Sequence, residues 1–251
     1  MIPGSCHLAP GRWEPAIHAG LERMVREHGR SGGQWDPHHR PLATFDWDNT
    51  AILGDIGEAV LDYLDERDQT QRSLEYERQC EEFGKPVGYP WAAYQIAGLR
   101  EHEARALTLQ VIDTWMARGK ITFRPEIRDL IAVMQHQGWE VWVVSASAEP
   151  LVRTFGQFYG IGPDHTIGMR LKMDDSGRYL PALSGPNTYR QGKVQAIDEI
   201  IGRRPVFAAG DTDTDIDMLR SARYALLMDR GSAEVRQAAE AGGWWVQPPG
   251  W

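Results

Sequence analysis

Hydrophobic residues recur along this chain at two different spacings, and each change of spacing marks a change of structure. Ile17, Leu21 and Val25 share one helical face over residues 14–29. A loop rich in Gly and Pro (30–41) follows, and PLATFD (41–46) then predicts a short strand. From 51 to about 122 only helical spacing occurs, interrupted at FGKPVGYP (83–90). The longest helix there lines up Ala104, Leu107, Val111 and Trp115 and stops at Gly119. Beyond it, helices and short apolar strands alternate. RPEIRDLIAVMQHQG is a helix from Pro125 to Gly138, EVWVVSAS a strand and EPLVRTFGQFYG a helix. HTIGMRLKMDDSGRYLP reads as short strands around an Asp-Ser-Gly turn. QGKVQAIDEIIG, RPVFAAGD, TDIDMLRSA, RYALLMD, SAEVRQAAEAG and WWVQP then alternate helix and strand.

Strands that are apolar throughout belong to a parallel sheet covered on both faces. The expected fold class is therefore α/β, with core residues 1–50 and 123–251 and an all-helical block, 51–122, inserted after the first strand. Composition narrows the function. A net charge of −8 removes the basic footprint of a nucleic-acid or anionic-membrane binder. Cys6 and Cys80 are the only cysteines, too few for a disulfide framework. No run approaches the length of a membrane span, and MIPGSCHLAPGRW lacks the charged and apolar regions of a signal peptide, so a cytoplasmic protein is expected. Trp244, Trp245 and Trp251 read as packing or as an interface, which leaves a homodimer open.

The chemistry lies at the strand ends. ATFDWDNT places Asp46, Asp48 and Thr50 just after the first strand, VWVV leads into Ser145, and VFAAG into Asp211. Ligands of open α/β sheets bind beyond the carboxyl ends of the strands, so these side chains are expected to converge. Lys193, after a Gly at a helix start, is a fourth candidate. A lone strand-end Asp is ordinarily a cap or turn residue, but four such motifs in order argue for a site. Calcium loops are excluded: DTDTDIDML has Ile216 where the loop needs Gly and Ala222 where it needs Glu, and DWDNTAIL has Ala51 at its Gly position. Asp213 reads as a helix-start residue and Asp217 as a solvated group.

D-x-D-x-T at 46–50, Ser145, Lys193 and G-D-x-x-x-D at 210–215 together resemble the haloacid dehalogenase (HAD) superfamily, over residues 41 to about 230. The resemblance implies a Rossmann-like three-layer core with an inserted helical cap of type C1. It makes Asp46 the nucleophile that forms an aspartyl-phosphate and Asp48 the general acid and base. Ser145 and Lys193 would hold phosphoryl oxygens. Mg²⁺ would be bound by the Asp46 and Asp211 side chains, the Asp48 carbonyl and Asp215. Thr50, Ala146 and Ser147 join the substrate contacts. An Asp two residues after the nucleophile marks the phosphatases and phosphomutases of the family.

The position of the insertion resembles the phosphoserine phosphatase-like branch, and the pattern is most similar to bacterial phosphorylcholine phosphatases. Asp55 and Glu58, nine and twelve positions after Asp46, match acids of that branch. The expectation is an Mg²⁺-dependent phosphatase of a small, amine-bearing phosphomonoester, with no nucleic-acid or membrane partner. Tyr89, Trp91 and Tyr94 of the insertion, with Glu58, would form an aromatic cage for a cation, or else pack helices together. A sugar-phosphate or biosynthetic phosphatase, a phosphomutase and a non-catalytic protein of the same fold are the alternatives.

Overall fold

The sequence Leu42–Phe45 is apolar but for Thr44 and forms a strand with every residue buried. In the computed structural model, which describes residues 7–33 and 35–249, this strand lies inside the sheet. In chain order the elements are α1 (Pro15–His28), β1 (Leu42–Phe45), β2 (Ile52–Leu53), α2 (Ile56–Asp68), α3 (Arg72–Phe83), α4 (Lys85–Ala93) and α5 (Glu101–Ala117). There follow β3 (Thr122–Phe123), α6 (Pro125–His136), β4 (Glu140–Ala148), α7 (Glu149–Gly156), β5 (Thr166–Met169), β6 (Leu171–Met173) and β7 (Tyr179–Leu183). Last come α8 (Gln191–Ile200), β8 (Phe207–Gly210), α9 (Ile216–Ser221), β9 (Tyr224–Met228), α10 (Ala233–Gly242) and β10 (Trp245–Gln247). Cys6 and Trp251 lie outside the described residues.

Six strands form one parallel sheet in the order β10-β9-β8-β1-β4-β5. β1 pairs with β4 on one side (Phe45 beside Val143) and β8 on the other (Phe45 beside Ala209). The order therefore reverses at β1, which opens a crevice beyond its carboxyl end. Trp47, fully buried, follows β1 and packs edge-on against Phe155 and Tyr159 at 5.4 and 5.1 Å. α1 lies against the β10 edge, where Gly20 leaves room for the Trp245 ring, itself stacked on Tyr224 at 5.7 Å. Trp245 is thus a packing residue, as is Trp115, which is 2% exposed. No helix among the described residues is long and apolar enough to cross a membrane.

Two features differ from the sequence expectation. β2 and β3 form a two-residue antiparallel ribbon at the base of the helical insertion, too short to show any periodicity. The segment 83–90 breaks the helices at Gly84 alone, at φ +82°, and α4 begins directly after it. Pro86 suits a first helical turn, but Pro90 has no N–H for the Pro86 carbonyl. That carbonyl accepts the Asn187 side-chain amide at 2.9 Å instead, from 101 residues further along the chain. Lys85 reaches Asp213 at 2.6 Å and Tyr89 meets Tyr189 edge-on at 5.9 Å beside this contact. The β6–β7 hairpin adds a second join, with Tyr179 exchanging backbone hydrogen bonds with Gly98 and Leu99 at 2.8 and 2.9 Å.

Gly192 opens α8 where a β-carbon would stand 1.6 Å from the Asn187 carbonyl oxygen. Backbone on both sides leaves little room to yield. Gly192→Ala is expected to lower stability by about 2 kcal/mol or more, measured by urea unfolding. An unchanged midpoint would mean that the loop at Asn187 is free to move.

Candidate active site

The crevice beyond β1 gathers side chains from four elements. Asp46 extends the β1 ladder, its N–H bonded to Ala209 O at 2.9 Å, and the chain then turns through Trp47–Ala51. Asn49 takes a left-handed conformation at φ +58°, which its short polar side chain tolerates. Arg124 Nη2 secures this turn on Asn49 O at 2.9 Å, and Tyr159 OH donates to Ala51 O. From the first turn of α8 the Lys193 ammonium, wholly buried, reaches Asp46 Oδ1 and Asp215 Oδ1, each at 2.6 Å. Thr50 Oγ1 donates to Asp46 Oδ2 at 2.9 Å. Asp215 Oδ2 accepts the N–H groups of Asp211 and Thr212 at 3.0 and 3.2 Å. Gly210 is needed here, because a β-carbon on it would come within 2.5 Å of Asp215 Cβ. Arg230 Nη1 donates to Asp211 Oδ2 at 3.0 Å.

Asp48 faces the cleft from the same turn. Its Oδ1 accepts Ile56 N–H at 2.7 Å and its Oδ2 accepts the Ser147 hydroxyl at 2.7 Å. Ser145 is buried; its Oγ lies 3.3 Å from the same Oδ2, and its carbonyl accepts Thr188 Oγ1 at 2.7 Å.

Burial and crowding set the protonation of these groups. Burial and the Asp215 charge raise Asp46 to about 6 against the opposing pull of Lys193. Burial, with Asp46 and Asp215, lifts Asp211 well above the usual carboxylate range. Burial, then Asp55 and Asp46, does the same to Asp48. Burial disfavours the Lys193 charge, but Asp215 and Asp46 outweigh it and keep the ammonium protonated. Carboxyl oxygens of Asp46, Asp211 and Asp215 lie within 4.8 Å of one another, a hard-oxygen donor set carrying more negative charge than Lys193 and Arg230 offset. Such a set fits a small divalent cation.

The cleft above the carboxylates is lined by Asp55, Glu58, Tyr89, Ala146 and Ser147, all named from the sequence, and also by Tyr76, Lys85 and Arg230. Thr50, Ser145 and Lys193 are not among the lining residues, and each contacts an aspartate that is, Thr50 and Lys193 on Asp46 and Ser145 on Asp48. Trp91 and Tyr94 do not line the cleft. Helical residues turn by about 100° each, so Lys85, Tyr89, Ala92 and Ala93 share the α4 face toward the cleft. Tyr94 instead packs against the hydrophobic core, and Trp91 is half-buried outside the cleft. The register of α4, set from Lys85, is what separates Tyr89 from Trp91 and Tyr94. Arg230 follows strand β9, so the strand-end rule could have found it; Tyr76 carries no sequence signal.

Asp55 caps α2 by accepting Glu58 N–H at 2.9 Å, and partial burial raises its carboxyl. The neighbouring Asp55 charge, then burial, pushes Glu58 up to about 7. Asp213 does start a short helical turn, but it also holds Lys85 (2.6 Å), Arg190 (3.1 Å) and the Tyr189 hydroxyl (3.1 Å). Asp217 lies 3.9 Å from Arg220.

A family model for haloacid dehalogenase-like hydrolases matches residues 43–220, and the chain belongs to that family. Its kinship within the family makes it a phosphatase. The chain is 28% identical to the phosphorylcholine phosphatase of Pseudomonas aeruginosa over 249 residues, 70% of each protein. Among solved structures, a conserved protein of unknown function from Anaerococcus prevotii superposes with a TM-score of 0.81 at 20% identity, over 96% of this chain and 94% of that one. A substrate-bound phosphoserine phosphatase gives a TM-score of 0.56 at 17% identity, over 83% of this chain and 93% of that one. These two likenesses establish the fold.

The raised carboxyls make the metal-free site pH-sensitive. The folded state keeps protons that the unfolded chain releases, so this cluster's contribution to stability is greatest below about pH 4 and declines as pH rises through about 6. The thermal midpoint of metal-free protein is therefore expected to fall over that interval relative to Asp211→Asn, and millimolar Mg²⁺ should restore it at pH 7. Parallel curves for the two proteins would show that the crowding is not felt.

Proposed function

We propose that this phosphatase hydrolyses a small phosphomonoester with a positively charged leaving group, in a reaction that requires Mg²⁺. The observation that carries the reading is the wall facing the reacting carboxylates. Asp55 and Glu58 stand there with the rings of Tyr76 and Tyr89, 6.2 Å apart. The two cations of the cleft are already engaged, Lys85 by Asp213 and Arg230 by Asp211. A quaternary or primary ammonium is stabilised by carboxylates and aromatic faces, whereas an anionic group is repelled. The cavity, about 180 Å³, suits a small metabolite.

In this reading an Asp46 carboxylate oxygen attacks phosphorus while the bond to the leaving oxygen breaks, giving an aspartyl-phosphate. Asp48 donates its proton to that leaving oxygen, then takes one from the water that attacks phosphorus and frees Asp46. Lys193 and the Ser145 hydroxyl hold phosphoryl oxygens as charge develops. Asp46, Asp211, Asp215 and the Asp48 carbonyl would hold Mg²⁺, which when bound offsets the repulsion between the nucleophile and the phosphate.

Asp46→Asn is expected to cost at least about a thousandfold in kcat with folding intact. Over a panel of phosphomonoesters, phosphocholine or phosphoethanolamine should show higher kcat/KM than sugar phosphates or 3-phosphoglycerate. Glu58→Gln should raise KM for phosphocholine about tenfold and leave p-nitrophenyl phosphate nearly unchanged. Because Glu58 ionises near 7, the wild-type KM for phosphocholine should fall as pH rises through that value, and the variant should lose this dependence. Preference for an anionic or sugar phosphate, with Glu58→Gln indifferent to substrate charge, would overturn the cationic assignment. Dependence on a bisphosphate activator would mark a mutase instead.

A further inference from the structure

The hydrogen bonds that hold Asp48 are not equivalent. Oδ1 accepts the backbone N–H of Ile56 at 2.7 Å, and a backbone N–H can only donate. A proton on Asp48 is therefore directed to Oδ2. That oxygen faces two hydroxyls, Ser147 Oγ at 2.7 Å and Ser145 Oγ at 3.3 Å. The Ser145 hydroxyl makes the longer contact and also accepts Ser147 N–H at 3.0 Å. The Ser147 hydroxyl makes the shorter contact and donates to Oδ2; a protonated Oδ2 keeps a lone pair for that donor, so the acid's own proton stays free for the leaving oxygen. Asp48 must pass through both forms in each turnover if it protonates the leaving oxygen and later deprotonates water.

We propose that Ser147 is a positioning residue for proton transfer, its hydroxyl fixing Asp48 Oδ2 at the cleft. This rests on the reading of Asp48 as the general acid and base, and it assigns to Ser147 a role beyond lining the substrate cleft. The hydroxyl keeps one face of the carboxyl group still, so that the proton-bearing oxygen meets the leaving oxygen without a search among rotamers.

The test uses rapid-mixing kinetics of the first turnover with Mg²⁺, on p-nitrophenyl phosphate and on an alkyl monoester such as phosphocholine. An alkyl oxygen needs the proton as it leaves, whereas p-nitrophenolate hardly does. Ser147→Ala should slow release of the alkyl group about tenfold or more, slow the p-nitrophenolate burst less than about threefold, and leave KM for both substrates unchanged. Ser147→Thr, which restores a hydroxyl, should bring the alkyl rate back to within about threefold of wild type. Equal loss on both leaving groups, a raised KM with unchanged kcat, or failure of Ser147→Thr to rescue would overturn the proposal. Asp48→Asn separates the two levels of the argument. If Asp48→Asn slows the alkyl group selectively and Ser147→Ala does not, only the role of Ser147 falls. If Asp48→Asn treats both leaving groups alike, the acid role of Asp48 falls and this proposal with it.

Discussion

The Lys193 ammonium sits wholly buried between Asp46 and Asp215, and much of the site's architecture serves to keep it there. Three carboxyl groups crowd one end of the sheet, and without a cation among them their burial would be prohibitive. The ammonium must arrive from a helix that starts close to the strand ends. That requires α8 to begin tight against the Asn187 segment, which only a glycine at 192 permits. Asp215 must meet it from the other side, which only a glycine at 210 permits. The buried charges are thus paired by backbone geometry rather than by flexible reach, and the pairing holds the nucleophile's carboxylate in one orientation.

Much of this could be read from the chain because strand ends share an edge. Once PLATFD, EVWVVSAS and RPVFAAGD are read as neighbouring strands, the gathering of Asp46, Ser145 and Asp211 follows from topology. The gathering of Asp48 and Asp215 follows from their short spacing to these residues. What could not be read depends on contacts between distant segments. The β2–β3 ribbon is two residues deep and has no pattern to show. Tyr76 and Lys85 reach the cleft only because α3 and α4 fold back over it. Of the three aromatic residues the sequence suggests for the cleft, Tyr89 lines it, while Trp91 and Tyr94 point elsewhere because α4 begins before them and fixes their direction, and a proline-containing helix is hard to recognise from sequence alone.

Asp213 illustrates how one acidic motif divides its labour. Asp211 and Asp215 turn toward the nucleophile, while Asp213 turns away from it to Lys85, Arg190 and Tyr189. Burial works against the Asp213 charge, but Lys85 and Arg190 hold its carboxyl down at about 2. Arg190 meets it from a backbone at φ +48°, ψ −118°, a conformation that costs a non-glycine residue on the order of 1–3 kcal/mol. The same guanidinium also binds Glu234 at 2.9 Å. Local strain is offset by a network that ties α4, the loop before α8 and α10 to one carboxylate.

The amide that Asn187 lends to Pro86 bears on how such an enzyme can be recombined. A helical unit that satisfies its own backbone can be exchanged between hosts as a cassette. α4 cannot, because Pro90 leaves a carbonyl open and its donor belongs to the host. A chimaera cut at the β2–β3 ribbon would carry Pro86 and Lys85 away from Asn187 and Asp213, and the transplanted helix would lose an anchor in its first turn. A transferable unit therefore has two pieces, the helical insertion and the 171–213 stretch, from the β6–β7 hairpin to Asp213, that completes it. Two families of chimaeras, one exchanging a single segment and one exchanging both, would differ in whether specificity travels with the graft.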